Sequence, residues 1–287
     1  MGPVEAAILE ELSPTFRDRT VEVAGGSLRV MEGGEGPPLV LLHGRGSAAP
    51  IWFPLLPELA RSFRVYLADL PGFGSSRGYC FSGGNAEEGL GFFTDPILAW
   101  LEGERLASPR IVGHSLGGFV TLELALRKRL SPHSLVVIGS MGLGPELNTG
   151  ARLFFRAGPE RIARALGPAL FEKLLPPSKT AHGERLGRLG YELYAVADGR
   201  VDAARAFDTL VPLRGPAPHK RERLAEIDVP ALVLFGEEDE VVPSPMAIGG
   251  AGAMPEGRLR IEAGAGHSLH LDQPERILSI LLEFLRR

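Results

Sequence analysis

A serine enclosed by glycines is the strongest chemical signal in this 287-residue sequence. The run Gly113-His114-Ser115-Leu116-Gly117 fits the pattern G-x-S-x-G, and it joins an apolar run typical of a strand to a run typical of a helix. A sharp strand-to-helix turn of this kind exposes the serine hydroxyl, and its glycines let the neighbouring backbone pack closely. The pattern therefore predicts that Ser115 is a nucleophile.

A serine hydroxyl attacks at neutral pH only with a base in hydrogen-bond reach and a carboxylate that orients this base. Two later segments supply these groups, His267 in GAGHSLHLDQP and Asp239 in GEEDEVVP. Each follows a run typical of a strand, where a parallel sheet presents its ligand-facing loops. The spacing to the turn at residues 241–243 favours Asp239 as the acid, and the nearby alternatives are Glu237, Glu238 and Glu240.

A metal site and a bound cofactor are not expected. His270 lies three residues after His267, a spacing that could suggest a pair of metal ligands. The sequence supplies neither a recognisable third ligand nor an H-E-x-x-H run beside this pair.

The elements that must position these residues follow from the apolar patterning. The Gly25-Gly26 pair predicts a first hairpin, with strands at residues 20–24 and 28–31. Further strands are expected at residues 37–44, 63–70, 110–115, 135–140, 231–237 and 258–263, and helices at residues 52–61, 86–106, 116–130, 247–254 and 274–287. Continuous apolar strands alternating with helices predict an α/β fold, with a mostly parallel sheet covered by helices on both faces.

Residues 141–227 interrupt this alternation, because they contain amphipathic stretches but no good strand. A structureless loop of this length is improbable in a compact domain, so we expect a helical cap, or lid, over the site. The core would then consist of residues 1–140 and 228–287. Aromatic side chains of the cap could line an apolar pocket or pack inside the cap itself: Phe154, Phe155, Phe171, Tyr191, Tyr194 and Phe207.

Composition argues against several classes of partner. The net charge is −4 and no long run of like charges occurs, so nucleic acids and anionic membranes are not expected partners. Cys80 is the only cysteine, which excludes an internal disulfide, and the first twenty residues lack the pattern of a signal peptide. We therefore expect a cytoplasmic enzyme with a small-molecule substrate, and the sequence says nothing about its oligomeric state.

Five motifs in this order resemble the α/β-hydrolase superfamily, in particular its capped branch of serine esterases and carbon–carbon hydrolases: HGRG, DLPGFGSS, GHSLGG, GEEDEVVP and GAGHSLHLDQP. The resemblance extends from Val21 to Leu285 and includes the chain order of serine, aspartate and histidine. It implies Ser115 as nucleophile, His267 as general base and then acid, and Asp239 as the orienting carboxylate. Haloalkane dehalogenases and epoxide hydrolases share this architecture but have Asp at the nucleophile position, so Ser115 argues against both.

Attack by the serine creates an oxyanion, which needs two N–H donors arranged in advance. The amide of Leu116 is one expected donor, because it follows the nucleophile at the start of a helix. The pattern of the family implies the Arg45 amide as the second donor, with the Gly46 amide as an alternative.

The same motifs predict the surroundings of the substrate. Residues expected to contact it are Gly44, Gly46, Trp52, Phe73 and His114. For His114, and for His43 in the HGRG motif, structural hydrogen bonding is the other interpretation, because a buried histidine is more often a satisfied core group.

The expected activity is hydrolysis of carboxylic esters with a small-to-medium apolar acyl group, through an acyl-enzyme. The same groups could instead cleave a carbon–carbon bond or a thioester, or transfer an acyl group. A non-catalytic, ligand-binding homologue is a further alternative. Such a protein would be free to lose its nucleophile or base, whereas this sequence keeps every element.

A dinucleotide-binding protein is the remaining alternative. Residues 44–49, GRGSAA, fit the pattern G-x-G-x-x-A after a strand, and Asp69 ends the next strand. Against this interpretation, Pro50 and Pro54 disturb the helix that should start from the glycine loop. The pattern also leaves the ordered serine, aspartate and histidine unexplained.

Overall fold

The computed structural model describes residues 2–23, 25–171, 173, 182–195 and 200–287. Within these ranges one eight-stranded sheet is formed by β1 (Phe16–Val23), β2 (Gly26–Gly33), β3 (Pro38–Leu42), β4 (Arg64–Ala68), β5 (Arg110–His114), β6 (Ser134–Ile138), β7 (Ala231–Gly236) and β8 (Gly257–Glu262). The strand order is β1-β2-β4-β3-β5-β6-β7-β8. The first two strands are antiparallel to their neighbours, and β3 to β8 are parallel.

The α-helices of the described residues are α1 (Pro3–Leu12), α2 (Leu56–Leu59), α3 (Ala86–Glu104), α4 (Leu116–Leu126), α5 (Thr149–Ala157), α6 (Pro159–Leu166), α7 (Pro168–Phe171), α8 (Gly183–Ala195), α9 (Val201–Leu210), α10 (Pro245–Ala253), α11 (Leu269–Asp272) and α12 (Pro274–Leu285). Short 3₁₀ helices span Ala49–Trp52 and Arg221–Glu226. Among the described residues, no helix combines the length and the apolar composition needed to cross a bilayer.

The predicted α/β sheet is confirmed, and the burial of its central strands explains its parallel pairing. All residues of β6 and β7 are buried, as are four of the five residues of β5. Strands buried on both faces must be covered by helices on both faces, and two separate apolar clusters provide this cover. The carboxyl ends of β5, β7 and β8 therefore open on the same edge of the sheet.

The predicted helix over residues 52–61 is wrong. The segment forms the 3₁₀ helix Ala49–Trp52 and then the single turn α2. Pro54 and Pro57 explain the break, because proline has no backbone N–H for the helical ladder and restricts the residue before it. The break also removes support for dinucleotide binding, which needs a helix that starts directly from the glycine loop.

Helix α1 was missed by the sequence patterning, and its first turn is stabilised from far along the chain. The carboxylate of Glu192, in α8, accepts hydrogen bonds from the amides of Val4 at 3.0 Å and of Glu5 at 3.0 Å. Free amides at a helix N-terminus favour such an anionic partner. Because the two ends of this interaction are almost two hundred residues apart, local patterning gives no sign of it.

Residues 141–227 contain α5 to α9 and no strand in their described part. Residues 172, 174–181 and 196–199 of this segment lie outside the described residues. Helix α9 packs on α3, and α8 packs on α1. The segment is thus anchored to elements that come before it in the chain.

Candidate active site

Ser115 occupies a sharp turn between β5 and α4. Its backbone lies at φ 54° and ψ −113°, a left-handed conformation that a residue with a side chain adopts only under strain. The flanking glycines permit this turn. A Cβ atom on Gly113 would lie 2.2 Å from the carbonyl oxygen of Gly117, and a Cβ atom on Gly117 would lie 2.4 Å from that of Leu42. The G-x-S-x-G spacing is therefore a steric requirement of this turn.

The structure brings Ser115, His267 and Asp239 together, although they are far apart in the chain. The Ser115 hydroxyl oxygen lies 3.0 Å from Nε2 of His267. On the other side of the ring, Nδ1 of His267 lies 2.9 Å and 3.1 Å from the two carboxylate oxygens of Asp239. Since a carboxylate accepts, Nδ1 carries the proton and donates it, which leaves Nε2 free to accept from the serine hydroxyl.

The Asp239 side chain is fully buried and is held in place by backbone donors. The amides of Val241 and Val242 donate to Oδ1 at 2.8 Å and 2.9 Å. The acidic alternatives Glu237, Glu238 and Glu240 are all exposed to solvent. Their exposure leaves Asp239 as the carboxylate that orients His267.

His43 fixes the loop that follows β3. Its Nδ1–H donates to the carbonyl oxygen of Gly44 at 2.7 Å, and its Nε2 accepts from the amide of Leu70 at 2.9 Å. Burial of this ring lowers the pKa of His43 to about 4, so the imidazole stays neutral and keeps both hydrogen bonds. In a planar trans peptide the C=O and N–H point in opposite directions, so holding the Gly44 carbonyl also orients the amide of Arg45.

Two backbone amides remain available beside the serine. The Leu116 amide belongs to the first residue of α4, where no intrahelical acceptor exists. Neither this amide nor that of Arg45 donates to an acceptor within the described part of the chain. The Ser47 amide donates to Gly44 across the turn at 3.3 Å, which leaves Arg45 and Gly46 at the turn's centre.

The residues predicted to contact substrate fall into two groups. Gly44 is beside the serine, because a Cβ atom there would lie 3.2 Å from that of Ser115. His114 donates from Nε2 to the backbone oxygen of His267 at 3.1 Å, which agrees with its structural interpretation. Trp52 and Phe73, in contrast, are fully buried within the two apolar clusters. In this structure both rings are enclosed by other side chains and have no exposure to solvent.

Three histidine rings pack beside one another behind the serine. The ring centroid of His114 lies 4.9 Å from that of His267 and 4.5 Å from that of His270. Burial lowers the pKa of His270 to about 3 and that of His114 well below its ordinary value, so both are neutral. In the described residues, no group of three or more His, Cys, Asp or Glu side chains is placed to hold a metal ion.

The side chain of Arg45 makes the contacts that sequence patterning missed. Its Nη2 lies 2.9 Å from Oε1 of Glu160 in α6, and its guanidinium lies over the rings of Phe155 and Phe207. The hydroxyl of Tyr194 donates to the Arg45 carbonyl at 3.2 Å. These partners lie in α5, α6, α8 and α9, so four helices of the segment contact Arg45 or its side chain.

A sequence model described as the alpha/beta hydrolase family matches residues 39–280. The chain belongs to the alpha/beta hydrolase family. The resemblance noted in its sequence is therefore confirmed. The chain is an enzyme with the α/β-hydrolase fold.

Two curated relatives cover most of this α/β-hydrolase. It is 26% identical to 2-hydroxymuconate semialdehyde hydrolase of Pseudomonas sp. (strain CF600), over 93% of each chain. It is 27% identical to pimeloyl-[acyl-carrier protein] methyl ester esterase of Aeromonas hydrophila, over 90% of this chain and 99% of the relative. The solved structure of carboxylesterase CesB (YbfK) from Bacillus subtilis has the same fold, with a TM-score of 0.79, 22% identity and coverage of 98% and 95%.

Proposed function

We propose that this α/β-hydrolase cleaves carboxylic esters through an acyl-enzyme formed on Ser115. The observation that supports this proposal is the continuous line of hydrogen bonds from Asp239 through His267 to the Ser115 hydroxyl. This arrangement allows His267 to take the serine proton while the oxygen attacks an ester carbonyl. The amides of Arg45 and Leu116 would donate to the oxygen that becomes negatively charged.

The same residues complete the acylation and then hydrolyse the acyl-enzyme. His267 returns its proton to the departing alcohol, which leaves the acyl group bound to Ser115. A water molecule then gives a proton to His267 and attacks the acyl carbonyl. As the bond from the carbonyl carbon to the Ser115 oxygen breaks, His267 returns that proton to the serine oxygen and the acid is released. Asp239 stabilises the charged imidazole in both halves without taking its proton.

We further propose that residues 141–227 form a cap over a core of residues 1–140 and 228–287. Contacts from four helices of the segment to the Arg45 loop support this division. The aromatic rings of Phe155 and Phe207 beside this loop suit an apolar acyl group of small to medium length. We also propose that the enzyme is cytoplasmic and uses no metal or cofactor. Its proposed partner is a small-molecule ester, not a membrane or a nucleic acid.

Carbon–carbon bond hydrolysis is the second candidate function. One relative is named as a hydrolase of 2-hydroxymuconate semialdehyde, whereas another is named as a methyl ester esterase. Thioester hydrolysis and acyl transfer use the same chemistry on Ser115. A panel of p-nitrophenyl esters, a thioester and a vinylogous diketone acid distinguishes these reactions, and we expect the highest kcat/KM on an ester.

The proposal is tested by Ser115→Ala. Loss of the nucleophile should lower ester hydrolysis by about 10⁴-fold or more, with the fold retained. A fluorophosphonate probe should label the wild-type protein on the peptide that contains Ser115, as located by mass spectrometry. The exposed Ser75→Ala serves as the control and should keep full activity. Wild-type turnover by Ser115→Ala, or an adduct on another serine alone, would remove Ser115 as nucleophile.

A further inference from the structure

Three residues form a stripe along one side of α8. Arg185, Leu189 and Glu192 are separated by four and three positions, which places them on the same face of a helix. Arg185 pairs with Glu11 of α1 at 2.7 Å, and Leu189 belongs to the same apolar cluster as Ile8 of α1. This stripe is therefore the side of α8 that packs on α1.

Glu192 ends the stripe with a buried carboxylate. The residue is 9% exposed, and its two oxygens accept from the amides of Val4 and Glu5, each at 3.0 Å. These amides lie in the first turn of α1, where they have no intrahelical acceptor and where negative charge is favoured. The carboxylate therefore holds the start of α1 against the last turn of α8.

Helix α1 is itself fixed to the core. The Glu5 carboxylate lies 3.2 Å from Nη1 of Arg29 in β2, and both side chains are buried. Arg29 also pairs with Asp18 at 2.9 Å and lies 3.6 Å from Asp69. Asp69 accepts from the amide of Ala49 at 2.6 Å, just after the loop that follows β3. Because separating a buried ion pair leaves charge uncompensated, α1 gives α8 a fixed support.

The opposite side of α8 faces the loop after β3. Tyr194 follows Glu192 by two positions, which is about 200° around a helix of 3.6 residues per turn. The Tyr194 hydroxyl donates to the Arg45 carbonyl at 3.2 Å, and a Cβ atom on Gly46 would lie 2.4 Å from the Tyr194 ring. Helix α8 is therefore held between α1 and the loop that contains a proposed oxyanion donor.

We propose that Glu192 is a positioning residue, which acts through α8 and Tyr194 on the backbone of Arg45. The hydrogen-bonded backbone of a helix keeps its faces in a fixed relation, so support from α1 on one face limits the movement of Tyr194 on the other. This proposal rests on the proposed ester hydrolysis at Ser115. It gives α1, which precedes the matched residues 39–280, a part in orienting the Arg45 amide.

Glu192→Ala tests the proposal, because it removes both acceptors of the α1 amides and keeps a residue that favours helix. On p-nitrophenyl butyrate, kcat should fall by about 2- to 10-fold with KM near wild type, because the loss cannot exceed that of the Tyr194 hydrogen bond. Glu192→Gln keeps one acceptor oxygen and should lose less. The control is Arg188→Ala, an exposed residue of the same helix, which should keep the wild-type kcat.

The double variant with Tyr194→Phe separates positioning from a merely structural role. If Glu192 acts through the Tyr194 hydroxyl, Glu192→Ala should change kcat by less than about 1.5-fold when Tyr194 is already Phe. Independent losses would instead multiply, and a double variant that shows the product of the two single losses would overturn the proposal. An unchanged kcat in Glu192→Ala, with or without a lower Tm, would overturn it as well.

Failure of ester hydrolysis itself is recognised separately, because amide hydrogen exchange needs no substrate. The amides of residues 43–48 should exchange faster in Glu192→Ala and in Tyr194→Phe than in wild type, and Arg188→Ala should match wild type. If the wild type hydrolyses no ester and these amides respond as expected, the proposed function fails and the support of the loop by Glu192 is retained. Unchanged exchange in Glu192→Ala would overturn the positioning role, whether or not an ester is hydrolysed.

Discussion

At the residue scale, the buried carboxylate of Asp239 positions the ring of His267 without contacting the proposed nucleophile. Its carboxylate accepts from two backbone amides and from Nδ1 of His267, so the imidazole is held in the tautomer that leaves Nε2 free. In Asp239→Asn the amide can donate to the ring and reverse the tautomer. We expect kcat to fall by about 10⁴-fold, with KM and Tm near wild type.

The control for this prediction is Glu238→Gln, in which an exposed neighbour loses the same charge. It should leave kcat within a factor of about 2, since an exposed charge interacts weakly through water. If Glu238→Gln abolished turnover and Asp239→Asn did not, the assignment of the acid would be wrong.

At the scale of elements, the loop after β3 is held from two directions. His43 fixes the Gly44 carbonyl from the core side, and the Tyr194 hydroxyl donates to the Arg45 carbonyl from α8. A Cβ atom on Gly46 would lie 2.4 Å from the Tyr194 ring, so glycine is required for this contact. The position of α8 and the orientation of the amides in this loop are therefore linked.

Tyr194→Phe tests this link, because it removes the hydrogen bond and keeps the ring. The loss of one hydrogen bond is worth about 0.5–1.5 kcal/mol, so kcat should fall by about 2- to 10-fold with little change in KM. The matched control is Tyr191→Phe in the same helix, whose ring packs on Phe171. Equal kcat values for the two variants, measured on one p-nitrophenyl ester, would show that α8 does not orient the loop.

The proposed cap, residues 141–227, leads to a prediction about neutral substrates. If residues 141–227 enclose the acyl group, each buried methylene contributes about 0.8 kcal/mol to binding. The kcat/KM for neutral p-nitrophenyl esters should then rise from acetate to medium chains and fall when the enclosed space is full. Replacing the segment by a short Gly/Ser linker should flatten this profile. A truncated protein that is folded by circular dichroism and keeps the chain-length optimum would place selectivity in the core loops.

The sequence predicted those features that depend on neighbours along the chain. The turn at Ser115 follows from the glycine spacing, and the alternation of strands and helices follows from apolar patterning. Contacts between distant residues have no such signal. The pairing of Arg45 with Glu160 and the capping of α1 by Glu192 appear only when the chain is folded.

At the scale of the whole molecule, three buried histidines link stability to pH. His43, His114 and His270 have pKa values lowered by burial, to about 4 for His43 and about 3 for His270. In the unfolded chain each takes up a proton near its ordinary pKa of about 6.5. The unfolded state thus binds more protons below this pH, so the stability present above it is lost as pH falls toward the folded pKa values.

His270→Phe should reduce this acid sensitivity. Both ring nitrogens of His270 are buried without a hydrogen-bond partner among the described residues, and the ring packs on Trp52 with centroids 4.5 Å apart. Phenylalanine keeps a ring there and removes a group whose protonation favours unfolding by up to about 1.4 kcal/mol per pH unit. The free energy of unfolding, measured with urea between pH 7.5 and 5, should fall less steeply in His270→Phe than in wild type. The exposed His133→Gln should follow the wild-type curve. Parallel curves for all three proteins would mean that His270 takes up its proton equally in the folded and unfolded states.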